Sequence, residues 1–230
     1  MLEDNVGYLH LREFTTTLPE QFEAHLTGLI EQGAEDFIFD LRHNPGGDAW
    51  ALRQVVDMLL DEAVISRIEG RSEGTNYVES WTSRDGKLVS DDARFMILLS
   101  RDSASASELF SGALRDNAGA VLIGEETFGK GSGTISFPLN DGSAANITVF
   151  RYLLPKGDVV EGEGLKPDYP IEMSDELLQT SISDIPRDED PFIQKALELL
   201  REEPEPSLSL PGNATDESGR DPVKTAPLQP

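Results

Sequence analysis

The first half of the chain shows two hydrophobic patterns that alternate along the sequence. Short runs of consecutive apolar residues are typical of strands buried on both faces of a parallel sheet, and apolar residues at three- and four-residue intervals are typical of amphipathic helices. The predicted strands have the sequences VGYLHLREF, DFIFDLR, RFMILLS and AVLIGEE. The predicted helices have the sequences LPEQFEAHLTGLIEQGA, AWALRQVVDMLLDE and ELFSGALRDNAG. This repeated order of strand, helix and strand predicts an α/β layered domain.

After the segment TFGKGSG the pattern changes to alternating apolar and polar residues. The stretches TISFPL and AANITVFRYLLP flank a turn at NDGS, which predicts an antiparallel hairpin extension. DPFIQKALELLREE has the spacing of a last amphipathic helix, and the residues after Glu203 are too rich in Pro, Ser, Gly and Asp to form a core. We therefore predict one core domain over residues 1–203 and a disordered, acidic and proline-rich tail over residues 204–230.

The composition limits the partners that the protein can have. The chain of 230 residues carries 19 Lys and Arg against 43 Asp and Glu, and its net charge of −24 disfavours nucleic acid and anionic lipid as partners. A chain without cysteine cannot form disulfides, thiolate nucleophiles or cysteine zinc sites. No apolar run reaches the ~18 residues of a membrane-spanning helix, so we expect no integral membrane segment. His10, His25 and His43 lack the spacing of a metal site, and we predict neither a metal nor a cofactor.

The segment DLRHNPGG joins a predicted strand to a predicted helix through two consecutive glycines, Gly46 and Gly47. Glycine tolerates positive φ angles and leaves the backbone N–H groups uncovered, so this loop could donate hydrogen bonds to a developing oxyanion. The alternative is an ordinary turn between a strand and a helix.

The segment SASASE, residues 103–108, follows another apolar strand and begins a helix. Ser105 and Glu108 have the spacing of a capping box, which alone would explain both residues. A serine in such a turn also lies at the carboxyl end of a strand, where open α/β sheets bind their ligands. In that interpretation Ser105 is a nucleophile and the amide of Ala106 points at the oxygen on the attacked carbon.

A serine nucleophile needs a base, and no histidine lies near this segment in the sequence. Lys130, between two glycines at the end of the next apolar strand, is the candidate. A lysine acts as a base only when it is uncharged, and burial favours that form. The sequence thus predicts a dyad of Ser105 and Lys130, and a solvated turn around the lysine is the alternative.

Six stretches in this order resemble the catalytic core of the C-terminal-processing, or tail-specific, serine proteases. They are VGYLHLREF, DLRHNPGG, SASASELFSGALRD, GEETFGKGS, RYLLPKGDVVEGEGLKPD and QKALELL. The resemblance implies the spiral α/β core of β-β-α units that these proteases share with Clp protease subunits and crotonases. It also implies a serine endopeptidase that forms an acyl-enzyme and cleaves protein or peptide substrates near unfolded, apolar C-termini.

The resemblance assigns roles to the matching residues. Ser105 resembles the nucleophile and Lys130 its general base. The amides of Ala106 and of Gly46 or Gly47 resemble the donors of the oxyanion hole. Three further residues match positions with a supporting role: Glu108, Asp116 and Thr134.

The chain departs from the family pattern in two places. Thr134 stands where members often carry a glutamine that helps to orient the lysine, although threonine can accept one hydrogen bond there. Members normally carry a PDZ domain before the first matched strand, and this chain starts at that strand. We therefore expect a core without its PDZ domain and a poorly selective cleavage. The resemblance further implies a periplasmic or cell-envelope location, and a homo-oligomer is a possible state.

Two other functions use the same scaffold. A noncatalytic binding module, as in retinoid-binding relatives of these proteases, would need neither Ser105 nor Lys130. A crotonase-like acyl-CoA enzyme would use the oxyanion amides without a dyad. The presence of both Ser105 and Lys130 favours the protease over these alternatives.

Overall fold

The computed structural model describes residues 1–72, 74–174 and 180–202, and the predicted tail over residues 204–230 lies outside them. The strands are β1 (Val6–His10), β2 (Asp36–Asp40), β3 (Val64–Ser72), β4 (Thr75–Thr82), β5 (Phe95–Leu99), β6 (Val121–Gly124), β7 (Ser132–Pro138), β8 (Ala144–Leu153) and β9 (Tyr169–Pro170). The helices are α1 (Leu18–Glu31), α2 (Ala49–Asp57), α3 (Ala106–Ala118) and α4 (Pro191–Arg201). Within these ranges, no helix is both long and apolar enough to cross a bilayer.

Five strands form a parallel sheet in the order β1-β2-β5-β6-β9. The four apolar strands that the sequence predicts all belong to it, so the predicted α/β layer is confirmed. The fifth strand, β9, has only two residues and adds to the edge beside β6. Because all strands run in one direction, the turns that follow β2, β5 and β6 meet at one edge of the sheet.

The parallel sheet is buried on both faces. Successive residues of a strand point to opposite faces, so Phe37 and Phe39 of β2 belong to one core and Ile38 to the other. The first core contains the apolar faces of α1, α2 and α3, and the second contains that of α4. The described residues therefore form a three-layer α/β structure in which α4 is the helix on the second face.

The second sheet is antiparallel, in the order β4-β3-β8-β7. It consists of two hairpins that are joined where β3 pairs with β8, and the prediction of a hairpin extension is confirmed. At this junction Ile68 of β3 lies opposite Tyr152 of β8, and both side chains are buried in the first core. The outer strands β4 and β7 are largely exposed.

The helix α2 is shorter than its apolar spacing predicts. It ends at Asp57, whereas the pattern extends to Glu62. The Met58 carbonyl accepts a hydrogen bond from Leu88 N at 2.8 Å, so this carbonyl bonds to the loop before β5 and not to the next helical turn. The following leucines, Leu59 and Leu60, are still buried, which is why the hydrophobic pattern alone overestimates the helix.

A buried charge cluster holds α4 against the end of β2. The Arg42 guanidinium contacts Asp40 Oδ2 at 2.6 Å and Asp190 Oδ2 at 2.7 Å, and all three side chains are fully or almost fully buried. Asp190 also caps α4 by accepting a hydrogen bond from Phe192 N at 3.0 Å. These contacts fix the residue that immediately precedes the HNPGG loop.

Candidate active site

Ser105 occupies the turn between β5 and α3 as the N-cap residue of the helix. Its φ of 56° and ψ of −113° lie outside the regions that non-glycine residues ordinarily adopt. Such strain persists only where surrounding contacts enforce it, and a serine on a tight turn between a strand and a helix is a recurrent way to expose a nucleophile. The predicted capping box is confirmed: Glu108 Oε2 accepts a hydrogen bond from Ser105 N at 2.8 Å.

The three serines of SASAS have different environments. Ser103 and Ser107 are fully buried, and Ser105 is partly exposed. The Ser103 hydroxyl donates to the Leu41 carbonyl at 2.8 Å, and the Ser107 hydroxyl donates to the Asn44 carbonyl at 2.9 Å. The two flanking serines thus fasten Leu41 and Asn44, at the end of β2 and in the HNPGG loop, to the segment that begins α3. Ser105 is the one of the three serines that is partly exposed to solvent.

The HNPGG loop packs directly against the Ser105 turn. A Cβ atom on Gly46 would lie 2.6 Å from the Ala104 carbonyl oxygen and 2.8 Å from Ala106 N, and its φ is +99°. Only glycine fits such an approach. The same holds for Gly47, whose φ is +135° and whose Cβ would lie 2.4 Å from the Phe14 carbonyl oxygen.

The amides predicted for the oxyanion hole are not equivalent. Gly46 N donates to Asn44 Oδ1 at 2.9 Å, so this amide already has an acceptor. Across the described ranges, Gly47 N and Ala106 N donate to no protein atom. Of the two glycines that the sequence offered, Gly47 is therefore the one with a free donor.

The buried carboxylate of Glu108 connects the serine turn to the segment that carries Lys130. Its Oε2 accepts hydrogen bonds from Ser105 N at 2.8 Å and from Lys130 N at 2.9 Å. Its Oε1 accepts from Gly129 N at 2.8 Å and from the Thr127 hydroxyl at 2.5 Å. Two segments that are separated in sequence thus share one carboxylate, and the backbones of Ser105 and Lys130 are neighbours.

The side chain of Lys130 is exposed, although its backbone is fixed. The expectation that the protein buries this amine is therefore wrong for the chain by itself. The Lys130 carbonyl accepts a hydrogen bond from the hydroxyl of Tyr152 on β8, so the segment is held on two sides. The fold sets the position of the Lys130 backbone, and it leaves the side chain in contact with water.

Two of the predicted supporting residues lie away from this cluster. Asp116 is on the far part of α3, where its carboxylate contacts Arg115 Nε at 2.8 Å and Lys156 N at 3.1 Å. Eleven residues of helix separate it from Ser105, which corresponds to about 16 Å along the axis. Thr134 is exposed on β7, where it pairs with Thr148 after a β-bulge. Of the three supporting residues predicted, Glu108 is the one in contact with the serine turn.

Sequence reasoning missed three polar residues of the site. The Thr127 hydroxyl donates a hydrogen bond to Glu108 Oε1 and accepts one from Leu165 N at 2.7 Å. Asn44 Oδ1 accepts a hydrogen bond from Gly46 N, and Asn44 Nδ2 donates one to the Leu11 carbonyl at 2.7 Å. Tyr152 contacts the Lys130 carbonyl. Each lies inside a stretch that the resemblance includes, but nothing in its local pattern distinguishes it from a structural residue.

Comparison with known proteins identifies a family. Residues 5–171 match peptidase family S41. The chain belongs to this family. It is 36% identical over 196 residues to a carboxyl-terminal-processing protease of Synechocystis, and this match covers 85% of the chain and 44% of the relative. It is 37% identical over 166 residues to the chloroplastic carboxyl-terminal-processing peptidase 3 of Arabidopsis thaliana, and this match covers 70% of the chain and 31% of the relative.

Solved structures share the fold of this chain. A photosystem II D1 C-terminal processing protease superimposes with a TM-score of 0.65 at 30% sequence identity, over 73% of this chain and 42% of that one. A putative S41 protease from Bacteroides fragilis superimposes with a TM-score of 0.71 at 19% identity, over 85% of this chain and 54% of that one. The mixed α/β fold is thus consistent with the predicted Clp protease/crotonase-like core. The chain spans less than half the length of the curated relatives named above.

Proposed function

We propose that this chain is the catalytic core of a serine endopeptidase in which Ser105 is the nucleophile and Lys130 is the general base. The observation that carries the proposal is the shared carboxylate of Glu108, which holds the backbones of these two residues side by side. The strained backbone of Ser105 and its partial exposure, in contrast to the buried Ser103 and Ser107, support the choice of this serine.

The reaction proceeds through an acyl-enzyme. An uncharged Lys130 amine takes the proton of the Ser105 hydroxyl as the serine oxygen attacks the peptide carbonyl carbon. The amides of Gly47 and Ala106, which have free donors, stabilise the resulting oxyanion. The protonated lysine then gives its proton to the leaving amine, and water, deprotonated by the same lysine, hydrolyses the ester.

The exposed position of Lys130 gives the substrate a second role. Desolvation favours the neutral form of an amine. A polypeptide that lies across the site excludes water from the amine and so favours the base form. We therefore infer that catalysis requires a substrate long enough to cover this residue.

The substrates that we propose are proteins or peptides, cleaved near unfolded and apolar C-termini. The names of the relatives from Synechocystis and Arabidopsis, carboxyl-terminal-processing protease or peptidase, support this class. The periplasmic or cell-envelope location and the possible homo-oligomer remain predictions from the family resemblance. The same holds for the limits of the catalytic core, residues 1–203.

The test is cleavage of an unfolded protein with an apolar C-terminus by the parent and by two variants. Ser105→Ala and Lys130→Ala should each lower kcat/KM by at least about 1,000-fold, the scale seen when a residue of a catalytic unit is removed. Lys166→Ala removes another exposed lysine and should leave kcat/KM unchanged. A serine-directed phosphonate should label Ser105 in the parent and nothing in Ser105→Ala.

Equal cleavage by the parent and both variants would refute the assignment. A parent that neither cleaves nor reacts with the phosphonate would instead indicate the noncatalytic binding module.

A further inference from the structure

A groove of about 340 Å³ lies between the solvent-facing side of α2 and the end of β4. Four residues line it from α2 and two from the other side: Trp50, Arg53, Gln54 and Asp57, and Thr82 and Arg84. At the far end of α2 the two sides are joined, because Arg84 Nε donates to Asp57 Oδ2 at 2.6 Å. The groove therefore runs along the helix for about 10 Å, the length of seven helical residues.

The near end of the groove lies beside the free amide of Gly47. Trp50 is the second residue of α2 and follows Gly47 by three residues, and its side chain is 59% exposed. Helical side chains lean toward the N-terminus of their helix, which for α2 is the end at the HNPGG loop. A polypeptide bound at Gly47 N therefore has an exposed apolar surface directly beside it.

Arg53 gives the groove a positive charge without a counter-ion. Its guanidinium lies over the Trp81 ring, 5.2 Å from the ring centroid, and contacts no carboxylate among the residues that the structure describes. Stacking on a ring uses the face of the guanidinium and leaves the N–H groups at its edge free. Asp57 is already paired with Arg84, so the groove favours an anionic group although the chain has a net charge of −24.

Gln54 adds a hydrogen-bond donor that the fold does not use. Its Nε2 atom is buried and has no partner within the described ranges. A buried donor without an acceptor costs free energy. The backbone carbonyl groups of an extended peptide in the groove can accept this bond after a rotation of the side-chain amide.

We propose that this groove binds the C-terminal end of the polypeptide substrate, with an apolar side chain on Trp50 and the terminal carboxylate on Arg53. The last residues of an apolar C-terminus supply the three groups that the groove lacks, namely an apolar side chain, backbone carbonyls and a carboxylate. This inference rests on the proposed function, because it places the segment beyond the cleaved bond along α2. It gives the core a preference of its own, whereas the absence of a PDZ domain led us to expect poor selectivity.

The test of Arg53 compares two peptides of one sequence with an apolar C-terminus, one ending in a free carboxylate and the other in an amide. We expect the parent to cleave the free acid with a kcat/KM about 10-fold higher, because hydrogen bonds to a charged group are the stronger ones. Arg53→Gln should remove this preference and keep kcat/KM for the amidated peptide within about 2-fold of the parent. Arg67→Gln, a change at an exposed arginine of β3, should retain the preference.

The test of Trp50 uses the free acid and a peptide whose last residues are replaced by serine. Trp50→Ala should lower kcat/KM for the apolar peptide at least about 10-fold, mainly through KM, because the ring contacts the bound tail. For the serine peptide the loss should stay below about 2-fold. Phe137→Ala removes an exposed aromatic ring from β7 and should change neither value. An equal loss for both peptides in Trp50→Ala would overturn the inference.

A binding measurement does not depend on cleavage. Fluorescence anisotropy of labelled peptides with Ser105→Ala should show that the free acid binds about 10-fold more tightly than the amide. In the same background, Arg53→Gln should bind the two peptides equally.

These measurements separate the possible failures. Equal affinity for acid and amide, or a preference for the acid that survives Arg53→Gln, overturns the inference even if the parent cleaves protein. A preference that depends on Arg53 in a chain without any cleavage supports the groove and refutes the proposed function. A concentration-dependent dimer that Trp50→Ala dissociates would show that a second copy covers the groove, and it would also overturn the inference.

Discussion

Replacing Glu108 by glutamine is the most direct test of how the site is held together. The carboxylate is fully buried, and each of its oxygens accepts two hydrogen bonds. Glutamine has the same shape, but one of its two polar atoms is an NH₂ group that only donates. If this group faces Ser105 N and Lys130 N, two backbone donors lose their acceptor. If it faces Gly129 N and Thr127, the threonine can turn its proton away but the amide of Gly129 cannot.

The loss of stability follows from these contacts. Hydrogen bonds to a charged group contribute about 1.5–3 kcal/mol each, against about 0.5–1.5 kcal/mol for neutral pairs. The better orientation of the glutamine loses one such bond and weakens the others, while the cost of burying a charge disappears. We therefore expect Glu108→Gln to lower the free energy of unfolding by about 2–4 kcal/mol, a large part of the ~5–15 kcal/mol that stabilises a typical domain.

Urea unfolding followed by far-UV circular dichroism measures this loss. The control is Glu126→Gln, an exposed glutamate in the same segment, which should change the free energy of unfolding by less than about 0.5 kcal/mol. If Glu108→Gln is as stable as the control variant, the four hydrogen bonds do not hold the site, and the account of why Ser105 and Lys130 are neighbours is wrong.

Two further predictions concern the stability of the core. Arg42→Met leaves the buried carboxylates of Asp40 and Asp190 without their counter-ion. Urea titration should show that the free energy of unfolding falls by about 3–5 kcal/mol. A fall of less than about 1 kcal/mol would contradict a structural role of the cluster. Burial lowers the pKa of His10, so the unfolded chain takes up the proton first and stability falls as the pH drops below about 6.5. His10→Gln should therefore lose less stability than the parent between pH 7.5 and 5.5, and identical losses would argue against this linkage.

The sequence by itself determined the elements whose cause is local. Runs of consecutive apolar residues identified the four main strands of the parallel sheet, because such strands are buried on both faces. Apolar residues at three- and four-residue intervals identified the helices, because a period of 3.6 residues follows from the geometry of one helix. The capping box of Ser105 and Glu108 is also local, since both residues belong to one helical turn. The glycines of the HNPGG loop were recognisable because only glycine tolerates their backbone angles.

Only the tertiary structure decided which of these residues meet. Glu108 reaches Gly129 and Lys130 because β5 and β6 are neighbours in the sheet, and no pattern along the chain encodes that pairing. Tyr152 contacts the site from a different sheet. Whether Lys130 is buried depends likewise on what packs over it, and the structure leaves it exposed. Contacts between distant segments arise from packing of the whole chain, so local periodicity could suggest a serine and a lysine but could not align them.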